Sequence, residues 1–316
     1  METLCEHHAR MCPKVSVIIP AFDRAHTVLR AIESVIGQSL PEWELILIDD
    51  GSTDNTERLV RSIPDERIRY IRNLRNSGQS AARNTGIKAA QGTYISFLDS
   101  DDEWLPEKLA LEVVLFESAP TIGLTYSGEN VLDSDGRLLE IGTPRLQGRV
   151  FSQLLAKDFI GSCSRVAVRR KILEIVGGFD EGLSNAEDWD LWIRVASICQ
   201  VAGVPQVLVR RYLGANQVSD RLRGICDSRM KIVEKYRHEM SLQALSDHLA
   251  ILSIILLNYD RPHARELAFE AIRLKLFQPR LFAALGTSCF GSRIYRHVFS
   301  HVAKLRHGVY IGRAHI

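Results

Sequence analysis

Short apolar runs alternate with amphipathic stretches through the first third of the chain. Four of these runs have the length and the branched side chains of buried strands: Val15–Ile19, Glu44–Ile48, Ile68–Ile71 and Tyr94–Leu98. Between them, apolar residues recur at helical spacing in Val28–Ile36, and small residues fill a helical stretch at Ser80–Ala90. Strands and helices that alternate in this order predict an α/β fold, with a mostly parallel sheet sandwiched by helices.

The pattern is less regular beyond residue 102 and becomes nearly all helical near the end. Helices are predicted at Pro106–Ser118, Arg170–Val176 and Glu187–Ser197, and strands at Leu124–Tyr126, Arg165–Val168 and Val204–Val209. Three further helices are predicted at Asp220–His238, Ser241–Leu257 and Pro262–Leu274, and a weaker basic stretch follows them. We therefore predict a tail at 1–13, an α/β domain at 14–218 and an all-helical C-terminal region at 219–316.

The charge of the chain is small overall and unevenly distributed. The formal net charge is +2, yet the region from Arg221 onward contains 16 Lys and Arg against 7 Asp and Glu. Such a basic region favours contact with an anionic surface, and we predict a peripheral membrane contact with no nucleic-acid partner. The alternatives for these helices are a solvated face, a lid on the acceptor side or an oligomer contact.

The composition is that of a soluble globular protein, with 46% hydrophobic and 25% charged residues. The six Cys form no CxxC pair and are interpreted as reduced thiols. Residues 1–13 lack the apolar core of a signal peptide, and the longest apolar run, Leu249–Leu257, is shorter than the roughly 20 residues of a membrane span. We predict a cytoplasmic protein, soluble or associated with the inner face of the membrane.

The strand predicted at Tyr94–Leu98 ends in three carboxylates within four residues, Asp99, Asp101 and Asp102. Three like charges so close together repel one another, and a positive partner would offset that repulsion. Oxygen ligands of this kind suit Mg²⁺ or Mn²⁺. The segment therefore predicts a divalent-cation site, and a solvated Asp-rich turn is the alternative.

Two other predicted strands also end in polar sequence. The first gives Pro20-Ala21-Phe22-Asp23 and the second gives Asp49-Asp50-Gly51-Ser52. The carboxyl ends of parallel strands meet at one rim of the sheet, which is where open α/β sheets bind ligands. Acidic groups from three strand ends would crowd together there, and this favours a functional site over three unrelated turns.

A phosphorylated ligand at this rim would need cationic partners other than a glycine-rich loop. Neither GxxxxGK[ST] nor GxGxxG is present in the chain. Phosphates would then be held by the metal and by basic side chains. Arg83, in the segment Asn76–Asn84, lies in the first turns of a predicted helix and is the candidate for a nucleotide or phosphate contact.

A further acidic pair, Glu187 and Asp188, begins the helix predicted at Glu187–Ser197. Carboxylates in a first helical turn stabilise the helix, which is the structural interpretation. The functional interpretation is a general base placed near an acceptor hydroxyl. Asp188 is the preferred candidate and Glu187 the second.

Five segments, in order and spacing, resemble the motif set of the family 2 glycosyltransferases, which are inverting enzymes with a GT-A type nucleotide-diphospho-sugar domain. They are VSVIIPAFD at 15–23, LILIDDGSTDN at 45–55, NSGQSAARN at 76–84, FLDSDD at 97–102 and EDWDLW at 187–192. The resemblance covers about residues 14–209, so that the predicted domain at 14–218 becomes a glycosyltransferase domain. The helical C-terminal region lies outside it.

The resemblance implies a nucleotide-binding set made of Pro20, Ala21, Phe22, Asp23, Asp50, Gly78, Arg83, Asp99, Ser100 and Asp101. Phe22 would stack on uracil, where the family often has Tyr, and Asp50 would accept the N3–H of the base. Asp23 stands where Asn is commoner, which leaves its contact open. Uracil and thymine both offer this N3–H, so that UDP is the family-based choice over dTDP.

Asp99 and Asp101 match the DxD motif of the family, and the resemblance implies that Asp101 lies near the ribose and that Asp102 is a direct metal ligand, with Asp101 as the other candidate ligand. Which of these two binds Mn²⁺ or Mg²⁺ stays open. Asp188 would take the proton of the acceptor hydroxyl, and a single displacement would invert the anomeric centre. The acceptor would be a saccharide or a lipid-linked saccharide in polysaccharide or glycoconjugate synthesis.

Two other function classes fit the sequence less well. A nucleotidyltransferase also uses acids at strand ends and Mg²⁺, but the glycine-rich basic loop that it needs after the first strand is missing. A non-catalytic protein that keeps the fold for binding a sugar nucleotide is disfavoured because the metal-binding acids and the expected base are all present.

Overall fold

The computed structural model describes residues 12–183, 185–213, 218–257 and 260–274. Its internal contacts divide the chain into two compact units. The first contains residues up to 151, 159–182 and 187–215, and it holds the whole sheet. The second contains 152–158, 183–186 and the residues from 216 onward.

The N-terminal half of the first unit is built from four parallel strands, β1 (Val15–Ala21), β2 (Trp43–Asp49), β3 (Ile68–Arg72) and β4 (Tyr94–Phe97). They lie in the order β3-β2-β1-β4. The connections between them contain α1 (Val28–Ile36), α2 (Thr56–Arg61) and α3 (Gln79–Ala89). The predicted strands and helices of this half are thus present with small differences at their ends.

The sheet continues with five more strands, β5 (Glu103–Trp104), β6 (Ile122–Leu132), β7 (Leu138–Gly142), β8 (Val166–Arg169) and β9 (Gln200–Tyr212). The order becomes β3-β2-β1-β4-β8-β6-β9-β5, with β7 paired to β6. In this part β6 and β9 are parallel and the other pairs are antiparallel. The helices are α4 (Lys108–Ser118), α5 (Phe151–Ala156), α6 (Arg170–Val176) and α7 (Glu187–Ile198), with a 3₁₀ turn at Cys163–Arg165.

The α/β fold class is confirmed, and the sheet is longer than the sequence pattern indicated. β6 and β9 extend well beyond the predicted runs at 124–126 and 204–209, while β5, β7 and α5 were not predicted. The full length of β6 was missed because polar residues interrupt its apolar pattern. One of them, Glu129, is buried and paired with Arg165 and Arg211 at 3.4 and 2.9 Å.

The two faces of β1 receive helices of different character. Val17 and Ile19 belong to a buried apolar cluster that also contains Val28 and Ile32 of α1. On the opposite face α3 approaches closely, because a Cβ added at Gly86 would lie only 2.5 Å from Cγ2 of Ile18. The small residues of α3 therefore allow the helix to pack tightly behind the strand ends.

The second unit is mostly helical in its described part, which contains residues 152–156 of α5 together with α8 (Val218–Tyr236), α9 (Leu242–Leu256) and α10 (Arg261–Leu274). Ser241 caps α9 by accepting a hydrogen bond from the amide of Ala244 at 3.1 Å. Ser246 joins α9 to α10 by donating to the carbonyl of Ala271 at 2.8 Å. The expected helical character of this region is confirmed for these three helices.

Two of the expectations about the chain ends fall outside the described residues. These are the tail predicted at 1–13, of which residues 1–11 lie outside, and the basic stretch at 275–316, which carries much of the charge behind the predicted membrane contact. Among the helices that the structure describes, none has both the length and the apolar character that a membrane crossing requires.

Candidate active site

A cleft of about 260 Å³ opens at the carboxyl ends of β1, β2 and β4. It is lined by Pro20, Ala21, Phe22, Arg24, Asp50, Asn76, Gly78, Gln79, Ala82 and Ser100. Six of the ten predicted nucleotide-binding residues are among them: Pro20, Ala21, Phe22, Asp50, Gly78 and Ser100. Phe22 is 38% exposed, which leaves part of its ring open to a stacking partner. The strand ends therefore meet at one rim, as their sequences predicted.

Asp50 organises the loop that forms one wall of the cleft. Its carboxylate is buried and accepts hydrogen bonds from Nδ2 of Asn73 at 2.7 Å and from the amides of Ser77 and Gly78 at 2.9 and 2.8 Å. Gly78 has a φ of +91°, a backbone conformation that side chains disfavour. Since an ionised carboxylate offers about four acceptor positions, Asp50 can still accept one more hydrogen bond from a ligand.

Asp23 lies beside this cleft without lining it. Its φ is +52°, and its Oδ1 accepts hydrogen bonds from the amides of Thr53 and Asp54 at 2.7 and 3.3 Å. Its own amide donates to Oγ of Ser52 at 3.0 Å. These contacts tie the end of β1 to the loop after β2, and a nucleotide contact by Asp23 stays a prediction.

Arg83 is buried between two carboxylates of the site. Its NH2 group donates to Asp99 at 2.7 Å and its NH1 group to Glu187 at 3.3 Å, while the side chain is only 3% exposed. The guanidinium therefore links α3 to the end of β4 and to the start of α7. Because both terminal nitrogens are engaged, a direct phosphate contact by Arg83 stays a prediction that these ion pairs do not favour.

The other two acids at the end of β4, Asp101 and Asp102, have different surroundings. Asp102 is buried, and its two oxygens accept hydrogen bonds from Oγ of Ser164 at 2.5 Å and from the amide of Tyr212 at 3.2 Å. Asp101 is partly exposed, and its backbone carbonyl accepts from Arg30. Burial first, and then the charge of Asp99, raise the pKa of Asp101 and raise that of Asp102 well above the usual range.

A divalent cation fits this donor set through its chemistry. Clustered carboxylates with raised pKa values are hard oxygen donors whose mutual repulsion a cation would relieve. Within the residues that the structure describes, no group of three or more His, Cys, Asp or Glu is arranged to hold a metal ion. Mg²⁺ commonly takes one or two protein carboxylates together with water and substrate phosphates. A metal site that the phosphates of a bound ligand complete therefore suits this arrangement of acids.

The start of α7 carries Glu187 and Asp188, the two candidates for the general base. Oε1 of Glu187 is paired with Arg83, and its Oε2 is buried without a hydrogen-bond partner. Asp188 is partly exposed, and its Oδ1 accepts a hydrogen bond from the amide of Trp189. The structure thus brings both acids to the same side of the site as Arg83, while their roles stay predictions.

Asn84 fixes the loop that precedes α7. Its Oδ1 accepts from the amide of Phe179 at 2.7 Å, and its Nδ2 donates to the carbonyl of Phe179 and to Glu181, both at 2.9 Å. A Cβ at Gly178 would lie 2.1 Å from the same Oδ1, so that only glycine permits this approach. The segment at 76–84 therefore holds together two walls of the site.

Several residues of the site were not predicted from the sequence. Arg24, Asn76, Gln79 and Ala82 line the cleft. Arg24 directly follows the polar end of the first strand, and this adjacency is the signal that could have identified it. Ser164 had no such signal, because its contact with Asp102 joins segments 62 residues apart.

Residues 16–176, just over half of the chain, match the family model described as Glycosyl transferase family 2. The chain therefore belongs to family 2 of the glycosyltransferases. This confirms the resemblance that the five segments carried.

Two curated relatives illustrate the range of the family. The chain is 33% identical over 181 residues to the UDP-Glc:alpha-D-GlcNAc-diphosphoundecaprenol beta-1,3-glucosyltransferase WfgD of Escherichia coli, covering 57% of this chain and 69% of that protein. It is 35% identical over 211 residues to an uncharacterized glycosyltransferase of Rickettsia felis, covering 66% of this chain. The match spans only 34% of the length of that Rickettsia protein.

Two solved structures have a similar fold. One is residues 1–349 of TarS from S. aureus in complex with UDP-GlcNAc, with a TM-score of 0.62 and 18% identity, covering 93% of this chain and 92% of that one. The other is the mannosyltransferase PcManGT from Pyrobaculum calidifontis in complex with GDP-Man and Mn²⁺, with a TM-score of 0.53 and 20% identity, covering 93% and 80%. These likenesses concern the fold and agree with the expected GT-A type of α/β architecture.

Proposed function

We propose that this protein transfers a sugar from a nucleotide-diphospho-sugar to an acceptor hydroxyl, with inversion at the anomeric carbon, in the synthesis of a polysaccharide or glycoconjugate. Family membership supports glycosyl transfer, and the WfgD name supports a uridine donor and a lipid-linked saccharide acceptor. The observation that carries the proposal is the cleft, where Phe22 and Asp50 meet the end of the acidic strand at Ser100.

The chemistry follows from where charge develops. Phe22 would stack on the base and Asp50 would accept its N3–H, which orients the donor in the cleft. A divalent cation held by Asp101, with Asp102 as the other candidate ligand, would stabilise the charge of the departing nucleoside diphosphate. Mn²⁺ in the complex of PcManGT supports such an ion without assigning its ligands here.

Asp188 is proposed as the base that takes the proton of the attacking hydroxyl. Glu187 is the weaker candidate, because its carboxylate is held in an ion pair with Arg83 at 3.3 Å. That contact makes Glu187 less accessible to the hydroxyl of an acceptor. The ion pairs of Arg83 hold Glu187 and Asp99 in a fixed relation, which keeps the base side of the site near the donor side.

The first test is titration calorimetry of UDP, dTDP and GDP with and without Mn²⁺. We expect UDP to bind in the presence of Mn²⁺, and Asp101→Asn to weaken that binding strongly. Asp188→Asn should leave the Kd for UDP unchanged. The same variant should lower the rate of UDP release from UDP-sugars, measured in the presence of a lipid-linked GlcNAc acceptor, by about 10²–10⁴-fold. Binding of no nucleoside diphosphate under any of these conditions would contradict the proposal.

Peripheral contact with the inner face of the cell membrane is proposed from the basic C-terminal region and from the lipid-linked acceptor in the WfgD name. Each well-placed Lys or Arg adds about 1 kcal/mol of attraction to an anionic membrane. The full chain is expected to co-sediment with anionic vesicles at low salt and not with neutral ones. Recovery of the full chain in the supernatant with both kinds of vesicle would rule this contact out.

A further inference from the structure

Arg24 lines the cleft, its backbone is held by hydrogen bonds, and its side chain makes no hydrogen bond or ion pair with the described residues. Its amide donates to Oγ1 of Thr56 at 3.0 Å, and its carbonyl accepts from the amides of Thr27 and Val28 at 3.0 and 2.9 Å, just before α1. Among the residues that line the described cleft, Arg24 is the only one with a cationic side chain. It is partly exposed, so that the guanidinium is accessible to a ligand.

The other two arginines near the acidic strand end are already engaged. Arg83 is buried in its ion pairs with Asp99 and Glu187. Arg30 donates to the carbonyl of Asp101 and lies over the ring of Tyr212, with its Cζ 3.8 Å from the ring centroid. Among the described residues that line the cleft, Arg24 therefore offers the one guanidinium that is not engaged in an ion pair or hydrogen bond.

The charges around the cleft favour a ligand-binding role for this guanidinium. A nucleoside diphosphate is anionic, and the carboxylates of Asp99, Asp101 and Asp102 would repel it. Arg24 lies near enough to Asp101 for the two side-chain charges to interact. Arg24 therefore lines the cleft that would hold the nucleoside and also lies near Asp101, one of the acids that would hold the cation.

We propose that Arg24 is a donor-binding residue whose guanidinium holds the diphosphate of the nucleotide-sugar. This inference rests on the proposed function and assigns the phosphate contact, for which Arg83 was the candidate from the sequence, to a different side chain. A planar guanidinium presents paired donors that match two phosphate oxygens, and such charge-assisted hydrogen bonds are strong. The alternative is that Arg24 only compensates the charge of Asp101 and touches no ligand.

The test compares ligands with and without the diphosphate. UDP binding is measured by calorimetry with saturating Mn²⁺, and uridine binding by NMR titration, for wild type, Arg24→Gln and Arg24→Lys. We expect Arg24→Gln to weaken UDP binding by about 10- to 100-fold and to leave uridine binding unchanged. Arg24→Lys should restore part of the UDP affinity, because it keeps the charge and loses the paired geometry.

Arg58→Gln is the matched control, because Arg58 is an exposed residue of α2 that does not line the cleft. It removes the same charge and is expected to change UDP affinity less than twofold. Equal UDP affinity in Arg24→Gln and wild type would overturn the inference, and so would a parallel loss of uridine and UDP affinity. Failure of wild type to bind any nucleoside diphosphate would instead overturn the proposed function itself.

Discussion

At the scale of single residues, the site depends on how each carboxylate is paired. Asp50 and Asp102 are both buried acids that accept hydrogen bonds from backbone amides, yet they serve different segments. Asp50 holds the loop before α3, and Asp102 ties the end of β4 to β9. Their spacing in the sequence predicted that the acids share one rim, whereas their partners, such as Ser164 and Tyr212, come from distant segments and could not be predicted.

Ser164 is expected to hold the acidic turn in place. Its Oγ donates to Asp102 and accepts from the amide of Asp99 at 3.1 Å, and it is fully buried. Ser164→Ala would leave both partners without this hydrogen bond, and the free energy of unfolding should fall by about 1–3 kcal/mol. Because the turn would loosen, the Mn²⁺-dependent affinity for UDP should also fall severalfold, as measured by calorimetry.

Ser96→Ala provides the control for that experiment. Ser96 is also buried, and its Oγ donates to the carbonyl of Val166 at 3.1 Å without touching an acid of the site. We expect it to lose comparable stability while UDP affinity stays at the wild-type value. If the two variants changed UDP affinity equally, the positioning role of Ser164 would be refuted.

At the scale of elements, α3 shows how one motif serves several structural purposes. The sequence predicted a helix over Ser80–Ala90 and a nucleotide contact from Arg83, and the helix is present as Gln79–Ala89. In the structure Arg83 and Asn84 hold the start of α7 and the loop before it. The helix was predictable because its periodicity is local, but its partners belong to a segment about 100 residues away.

The helices of the second unit contain a buried histidine that makes stability depend on pH. Nε2 of His248 donates to the carbonyl of Leu155 at 2.8 Å, and Nδ1 accepts from Arg229 at 2.7 Å, since an arginine only donates. Burial, and then the charge of Arg229, lower the pKa of His248 to about 4. The folded protein therefore holds this ring neutral.

The unfolded chain binds a proton at His248 below its ordinary pKa of 6.5, and the folded chain does so only near pH 4. The part of the free energy of unfolding that is linked to His248 is thus fully present above pH 6.5. It is lost as the pH falls from 6.5 to 4, by roughly 3 kcal/mol in total. Denaturant titrations at pH 7, 5.5 and 4.5 should show the loss in wild type and a smaller one in His248→Gln, which keeps a donor and an acceptor.

The comparison with His248→Gln is necessary because a second buried group acts in the opposite direction. Burial raises the pKa of Glu112 to about 7, against the effect of its partner Lys108, 2.6 Å away. The stabilisation linked to Glu112 is present below pH 4.5 and is lost as the pH rises towards 7. Only the difference between the two proteins isolates His248, and parallel pH profiles would show that its titration contributes nothing.

At the scale of the whole molecule, the sequence by itself determined the parallel strands β1 to β4, the helices between them and the meeting of three polar strand ends at one rim. These features are local, because the period of the apolar pattern and the position of acids after a strand depend on neighbouring residues. The resemblance then supplied the family, which the family match confirmed.

Only the tertiary structure decided which side chains are engaged in contacts within the protein and which are available to a ligand. It extended β6 and β9 by pairing them, since the buried Glu129 is tolerated where Arg165 and Arg211 neutralise it. It also engaged Arg83 in ion pairs and left Arg24 as the cation of the cleft. The physical reason is that burial and pairing depend on contacts between segments far apart in the chain, which no local pattern encodes.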